Sequence, residues 1–339
     1  MRFTRILLIA GLAGCSLPLL AQPKWTVTKT MHVGGEGAWD YVTVDSPNHR
    51  LFVTRATHTQ AIDETTGKVL GDIQGQVRSH GTAIVPALNR GFITDGGGNG
   101  AIVVFDLKTY ETLGKLDALP DADGIIYDPS TNLVLAVSGD GAKLITLKPD
   151  IDLKTGKIDT IDLGGKPEFL AADGEGMAYI NLIDKDVVVA VDLKAAKVTA
   201  RWPVSPGGKP VGMALDRKNH QLYIGCRDPQ KMIVMSTKDG KVLADLPIGV
   251  GVDATKIDGD TAFASCSDGT LSVVGQKNGK YEVLQVVQTQ QGSRTMGVDT
   301  ATHSVYLPAA EFEPPAPGAS PARPTMKPDS FSILVVATK

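Results

Sequence analysis

The sequence predicts an all-β protein, a seven-bladed β-propeller built from four-stranded antiparallel blades. Three observations predict it. A strand-centre residue recurs at Phe52, Phe92, Leu135, Tyr179, Tyr223, Phe263 and Tyr306, at intervals of 40, 43, 44, 44, 40 and 43 residues. Each interval holds four short runs rich in β-branched residues, bounded by Gly, Asn, Asp and Pro, and four such strands make one blade. No stretch beyond the N-terminal leader sustains helical periodicity.

Taken in order, the first strand of a unit reads "YVTVD", "GIIYD" or "GMALD" and ends at a polar turn such as "SPNHR" or "RKNHQ". The second reads "LFVT", "GFIT", "AYIN" or "LYIG", and a loop leads to a third, "IVVFD" or "VVVAVD". A tight turn such as "ETTGK" or "KDGK" then opens the fourth, "VLGDI" or "VLADLPI". The seventh unit lacks a fourth strand, since the chain stops at "FSILVVATK", while the N-terminus carries a spare one, "KWTVTKTMHV". The N-terminal strand is therefore expected to complete the last blade, which removes two open sheet edges.

The frames "VTVD…NHRLFVT…DETTGKV" (Val42 to Val69), "VGMALD…NHQLYIG…STKDGKV" (Val211 to Val242) and "GVDTATHSVYLP" (Gly297 to Pro308) resemble the YVTN-repeat, YncE-like exported propellers. The resemblance covers the whole chain after its leader. It implies the propeller fold and a function among binding proteins, surface proteins and cofactor-free subunits of periplasmic redox complexes. It supplies no catalytic motif.

Residues 1–21 read as an export signal: Arg2 and Arg5 precede the apolar run "ILLIAGLAG", too short for a membrane span. Cleavage after Ala21 leaves 22–339 as one propeller in the periplasm or outside the cell; a lipobox at Leu12 to Cys15 is the alternative, with a lipid anchor on Cys15. Without Arg2 and Arg5 the net charge moves from −3 to −5. A mildly acidic chain is a poor generic partner for nucleic acid, and a monomer is expected.

Loops entering first strands converge on one mouth of a propeller's channel, a default ligand site. The aligned positions there are Asp40, His80, Asp123, Glu168, Val211, Asp253 and Arg294. Six are ionisable and four are carboxylates, so this mouth is the candidate site for a small ligand or a protein partner. Asp40, His80, Asp123, Glu168 and Asp253 could together hold a divalent metal, with calcium, magnesium or manganese suited to oxygen-rich ligands. Such a metal site would suit a hydrolase or lactonase, although propeller lactonases add amide ligands and no asparagine stands at these positions. Loop carboxylates also commonly do no more than accept backbone N–H bonds.

Other motifs fall away. His49, His220 and His303 occupy matching turns on the opposite face, which points to a shared structural role. Cys226 and Cys266 hold equivalent places in adjacent blades, about 10 Å apart by sheet spacing, which suits free thiols better than a disulfide. "DGGGNG" (Asp95 to Gly100) lacks the Gly-Lys-Ser/Thr ending of a phosphate loop, and no Ser-His-Asp frame or G-x-S-x-G is present. Lysines of the third-to-fourth turns, Lys194 and Lys197 among them, read as a solvated face. Residues 311–328 carry six prolines, which argues against a strand and for a flap over the mouth.

Overall fold

The computed structural model describes residues 24–314 and 325–339. Seven four-stranded antiparallel sheets are arranged as blades around a channel, and two single-turn 3-10 segments are the only helical elements among the described residues. No helix among them is long and apolar enough to cross a membrane. The leader, with Cys15, and the tip of the proline-rich insertion lie outside the described residues.

Blades 1 to 6 each use four consecutive strands, whose innermost members are Val42–Asp45, Ser79–Val85, Ala122–Asp128, Pro167–Ala172, Pro210–Asp216 and Val252–Asp258. Blade 7 takes Gly297–Asp299, Ser304–Ala309 and Ser332–Thr338, and its outer strand is Trp25–His32 from the N-terminus. Trp25 pairs with Thr338 and His32 with Ser332, so both chain ends close one sheet. Sequence reading anticipated this closure.

Each of the seven apolar clusters fills one junction between neighbouring blades. The middle strands carry that core: Phe52 meets Phe105 at 5.5 Å between blades 1 and 2, and Trp25 meets Phe263 edge-on at 4.8 Å between blades 7 and 6. Outer strands alternate, as in the exposed and half-buried succession of Lys197–Pro203, because only one of their faces has a neighbour.

The turns after the first strands need a left-handed residue, supplied by His49, Asn89, Asn132, His220 and His303 at φ of 50° to 54°. Asparagine and histidine tolerate that region better than most residues. His49 also meets Glu64 at 2.7 Å and His303 meets Asp258 at 2.8 Å, so both serve the turns themselves. The insertion of blade 7 departs from expectation at its base. Phe312 and Met326 pair as an antiparallel bridge, with Glu313 N–H donating to Thr325 and Lys327 N–H to Glu311. Prolines deny ladder bonds only where they stand, and Phe312, Met326 and their partners are not prolines.

Candidate functional site at the channel mouth

A β-bulge puts most of the ring residues where they are. In blades 2 to 6 the first two strands lose register near the mouth, between Ser79 and Thr82, Ala122 and Ile125, Pro167 and Leu170, Pro210 and Gly212, and Val252 and Ala254. The extra residue in each case falls at His80, Asp123, Glu168, Val211 or Asp253, or beside it. A bulge turns a side chain out of the pleat, here toward the mouth.

Polar residues two places beyond the strand-centre aromatics lock these bulges from the preceding blade. Thr54 Oγ1 donates to the His80 carbonyl at 2.7 Å, and Asn181 Nδ2 donates to the Val211 carbonyl at 2.8 Å. Thr94 donates to the Asp123 carbonyl and Ser265 to the Ser293 carbonyl from equivalent positions, while Thr295, just before the inner strand of blade 7, donates to the Asp40 carbonyl. Sequence reasoning missed these braces, although a hydroxyl or amide inside an otherwise apolar strand is a readable signal.

Immediately below the ring the inner strands carry Tyr41, Gly81, Gly124, Phe169, Gly212, Ala254 and Thr295. The small members let neighbouring strands approach: a Cβ on Gly212 would lie 2.6 Å from Thr255 N. Tyr41 and Phe169 fill the space left over, with ring centroids 5.1 Å apart, and make a floor under the mouth.

On this floor Asp40, His80 and Asp123 come together, with one donor atom from each within 4.8 Å of the others. His80 Nδ1 is 2.7 Å from Asp40 Oδ2 and 3.5 Å from Asp123 Oδ1. Gly96 makes room for the imidazole, since a Cβ there would stand 3.0 Å from His80 Nε2. Both His80 Nε2 and Asp123 Oδ1 are buried without a hydrogen-bond partner among the described residues.

Two ring residues are spent elsewhere. Asp253 takes Arg294 Nε at 2.6 Å on one oxygen and Arg227 on the other. Arg294 also donates to the Trp39 carbonyl at 3.2 Å. The five-residue ligand set expected from sequence therefore narrows to Asp40, His80 and Asp123. Glu168 lies outside the trio but near enough to raise Asp123, and Val211 is buried as packing.

The electrostatics follow from crowding. Two carboxylates within 4.8 Å of each other repel by about 3 kcal/mol at an effective dielectric near 20, enough to hold a proton on one of them. Burial, then Asp40 and Glu168, push the Asp123 carboxyl well above its usual range. Burial is also the first cause that lifts Glu168 to about 7. The Tyr41 phenol is raised by burial and next by Asp123, Asp40, Asp253 and Glu168, so all four carboxylates act on one point of the floor. Such a cup favours a cation, because a bound positive charge lets its carboxyls ionise.

The remaining candidates are settled by position. Cys226 and Cys266 are buried free thiols, each raised by burial to about 12 and so unreactive as nucleophiles. Asp95 of the glycine-rich loop accepts from Val77 N and Arg78 N and braces the backbone. The stem of the insertion leans on the mouth, with Phe312 6.0 Å from Trp39. No protein-family model matches the chain, and no curated protein matches it.

Proposed function

We propose that this chain is an exported, YncE-like propeller that works by binding, with the channel mouth as the site and a divalent cation as its first ligand. The observation that carries the reading is the trio Asp40, His80 and Asp123, with Asp123 Oδ1 buried and without a hydrogen-bond partner among the described residues. Its donors fit a metal: they are close enough to surround one ion, and they are two carboxylates and one imidazole. Calcium and magnesium prefer oxygen throughout, whereas an imidazole suits later metals, so manganese suits the mixed set best. The ion would bring positive charge and open coordination positions to the mouth. Asp40 and Asp123 would supply the balancing charge, while Arg294 and Arg227 keep Asp253 from competing.

Titration calorimetry with manganese, calcium and magnesium tests this reading. One site per chain is expected, with affinity rising with pH as the Asp123 carboxyl, pushed up by burial and by Asp40, releases its proton. Asp123→Asn and His80→Ala should each weaken it about tenfold or more. Binding that survives both substitutions would place the ion elsewhere and defeat the proposal.

Hydrolysis is the second reading, favoured by Glu168, whose carboxyl near 7 is poised to take and return a proton at the mouth. Ester or lactone turnover that Glu168→Gln abolishes, with metal affinity retained, would establish it.

A further inference from the structure

Three positions down from the ring, the inner strands carry Thr43, Ala83, Ile126, Ala171, Ala214, Lys256 and Gly297. Six are small or uncharged and one is a lysine. Lys256 Nζ lies 4.8 Å from the centroid of Phe169, the residue that closes the mouth from below. Among the described residues it has neither an ion-pair nor a hydrogen-bond partner, and burial alone brings its pKa down to about 8. An ammonium without a counter-charge is a costly occupant of such a place, and packing does not explain it, because alanine or glycine fills the same position in other blades.

Beneath the Tyr41–Phe169 floor the channel widens into a cavity of about 300 Å³. Its walls include Val44, Ile84, Ile126 and Val298, each half-buried, and among the described residues Lys256 is the one charged residue that lines it. The volume is at the small end of the range for small-molecule sites. The hydroxyls of Thr43 and Tyr127, which also line the cavity, are already bonded to the Thr82 carbonyl and to Asn132, so one positive charge beside these apolar side chains asks for a ligand with one negative charge and a short apolar body. A phosphate would bring nearly two charges and three strong acceptors, and Arg, the usual bidentate partner for it, does not line the cavity. A carboxylate matches a single ammonium.

We propose that the lower channel is a second binding site, separate from the mouth, for a short-chain aliphatic monocarboxylate that pairs with Lys256 and lays its tail against Val44, Ile84, Ile126 and Val298. The site does not depend on a cation at the mouth, since none of Asp40, His80 and Asp123 lines the cavity.

Calorimetry with hexanoate and hexanamide on the unmodified protein tests this directly, since the two probes share shape and differ in charge. Hexanoate should bind once per chain, and hexanamide about tenfold or more weaker, a difference of about 1.4 kcal/mol. Lys256→Met, which keeps the stem and removes the charge, should lose hexanoate by a similar factor and melt no lower than the parent. Equal binding of the two probes, undetected binding of hexanoate at millimolar concentration, or hexanoate affinity unchanged in Lys256→Met would each overturn the proposal. So would borohydride trapping of hexanal on Lys256 without hexanoate binding, which would assign the amine to carbonyl chemistry.

Discussion

Glu168 shows at the scale of one residue how the mouth costs stability. Its carboxyl rises from 4.5 to about 7 on folding, chiefly through burial, so the folded state holds the proton more tightly than the unfolded chain. Stability therefore falls as pH rises from about 4.5 through about 7, and the loss is complete above that window. Glu168→Gln should melt above the parent at pH 8 and level with it below pH 5, a comparison that calorimetry or circular dichroism can make. A variant that melts lower at pH 8 would mean that the ionised carboxylate is a stabilising partner. Much of this scale was legible. The repeat alone put Asp40, His80, Asp123, Glu168, Asp253 and Arg294 in one ring, because a fixed period assigns equivalent positions without coordinates. It could not show that Asp253 belongs to Arg227 and Arg294, since Arg227 stands in the preceding blade outside the ring positions. Lys256 was readable as the one charged residue of its tier but lay three positions from the ring that was compared.

At the scale of elements, the closing strand is fastened by a residue that composition gives no reason to notice. Arg55 is fully buried, with its guanidinium bonded to the carbonyls of Gly34, Gly35, Glu36 and Gly37 and to Gln60. Its charge sits 3.7 Å from the Phe331 ring, and burial lowers its pKa to about 10. The loop that joins the N-terminal strand to blade 1 is thereby wrapped around one side chain, and Gly37, at φ 98°, can turn there because it lacks a Cβ. Arg55→Met should cost about 3 kcal/mol, since several buried carbonyls would lose their donor together. Hydrogen exchange should show the loss concentrated in Trp25–His32 and its partner strand; uniform loss across all blades would contradict this role. The bulges belong to this scale too. They were illegible because the phase shift an extra residue makes in the alternation falls at the first residues of each inner strand, where too little of the pattern precedes it. No strand forms among the described residues of 311–328, as the prolines suggested, but they gave no sign of the Phe312–Met326 bridge, because they describe the loop's average and not its base.

For the whole molecule, the repeat was legible because seven copies of one pattern reinforce each other, and blade-to-blade packing demands the same apolar face from each. Ring closure followed from counting strands. Closure also sets the stability of the assembly. Removing Trp25–His32 would uncover Phe263 and the edge of Ser332–Thr338, and burial of Trp25 and Met31 alone is worth about 2–3 kcal/mol each. Set against a total of about 5–15 kcal/mol for a folded protein, that loss is large. The protein lacking this strand should unfold without a single sharp transition and self-associate on a sizing column. A monomer that melts as sharply as the parent would mean that six blades and a partial seventh suffice.

The central claim is that the mouth holds a cation between Asp40, His80 and Asp123. Native mass spectrometry of the protein purified without chelators, beside a denatured sample, tests it most directly. One added divalent ion per chain is expected, released on denaturation and absent from Asp123→Asn. A bare-chain mass that persists after addition of manganese, calcium and magnesium at pH 8 would contradict it.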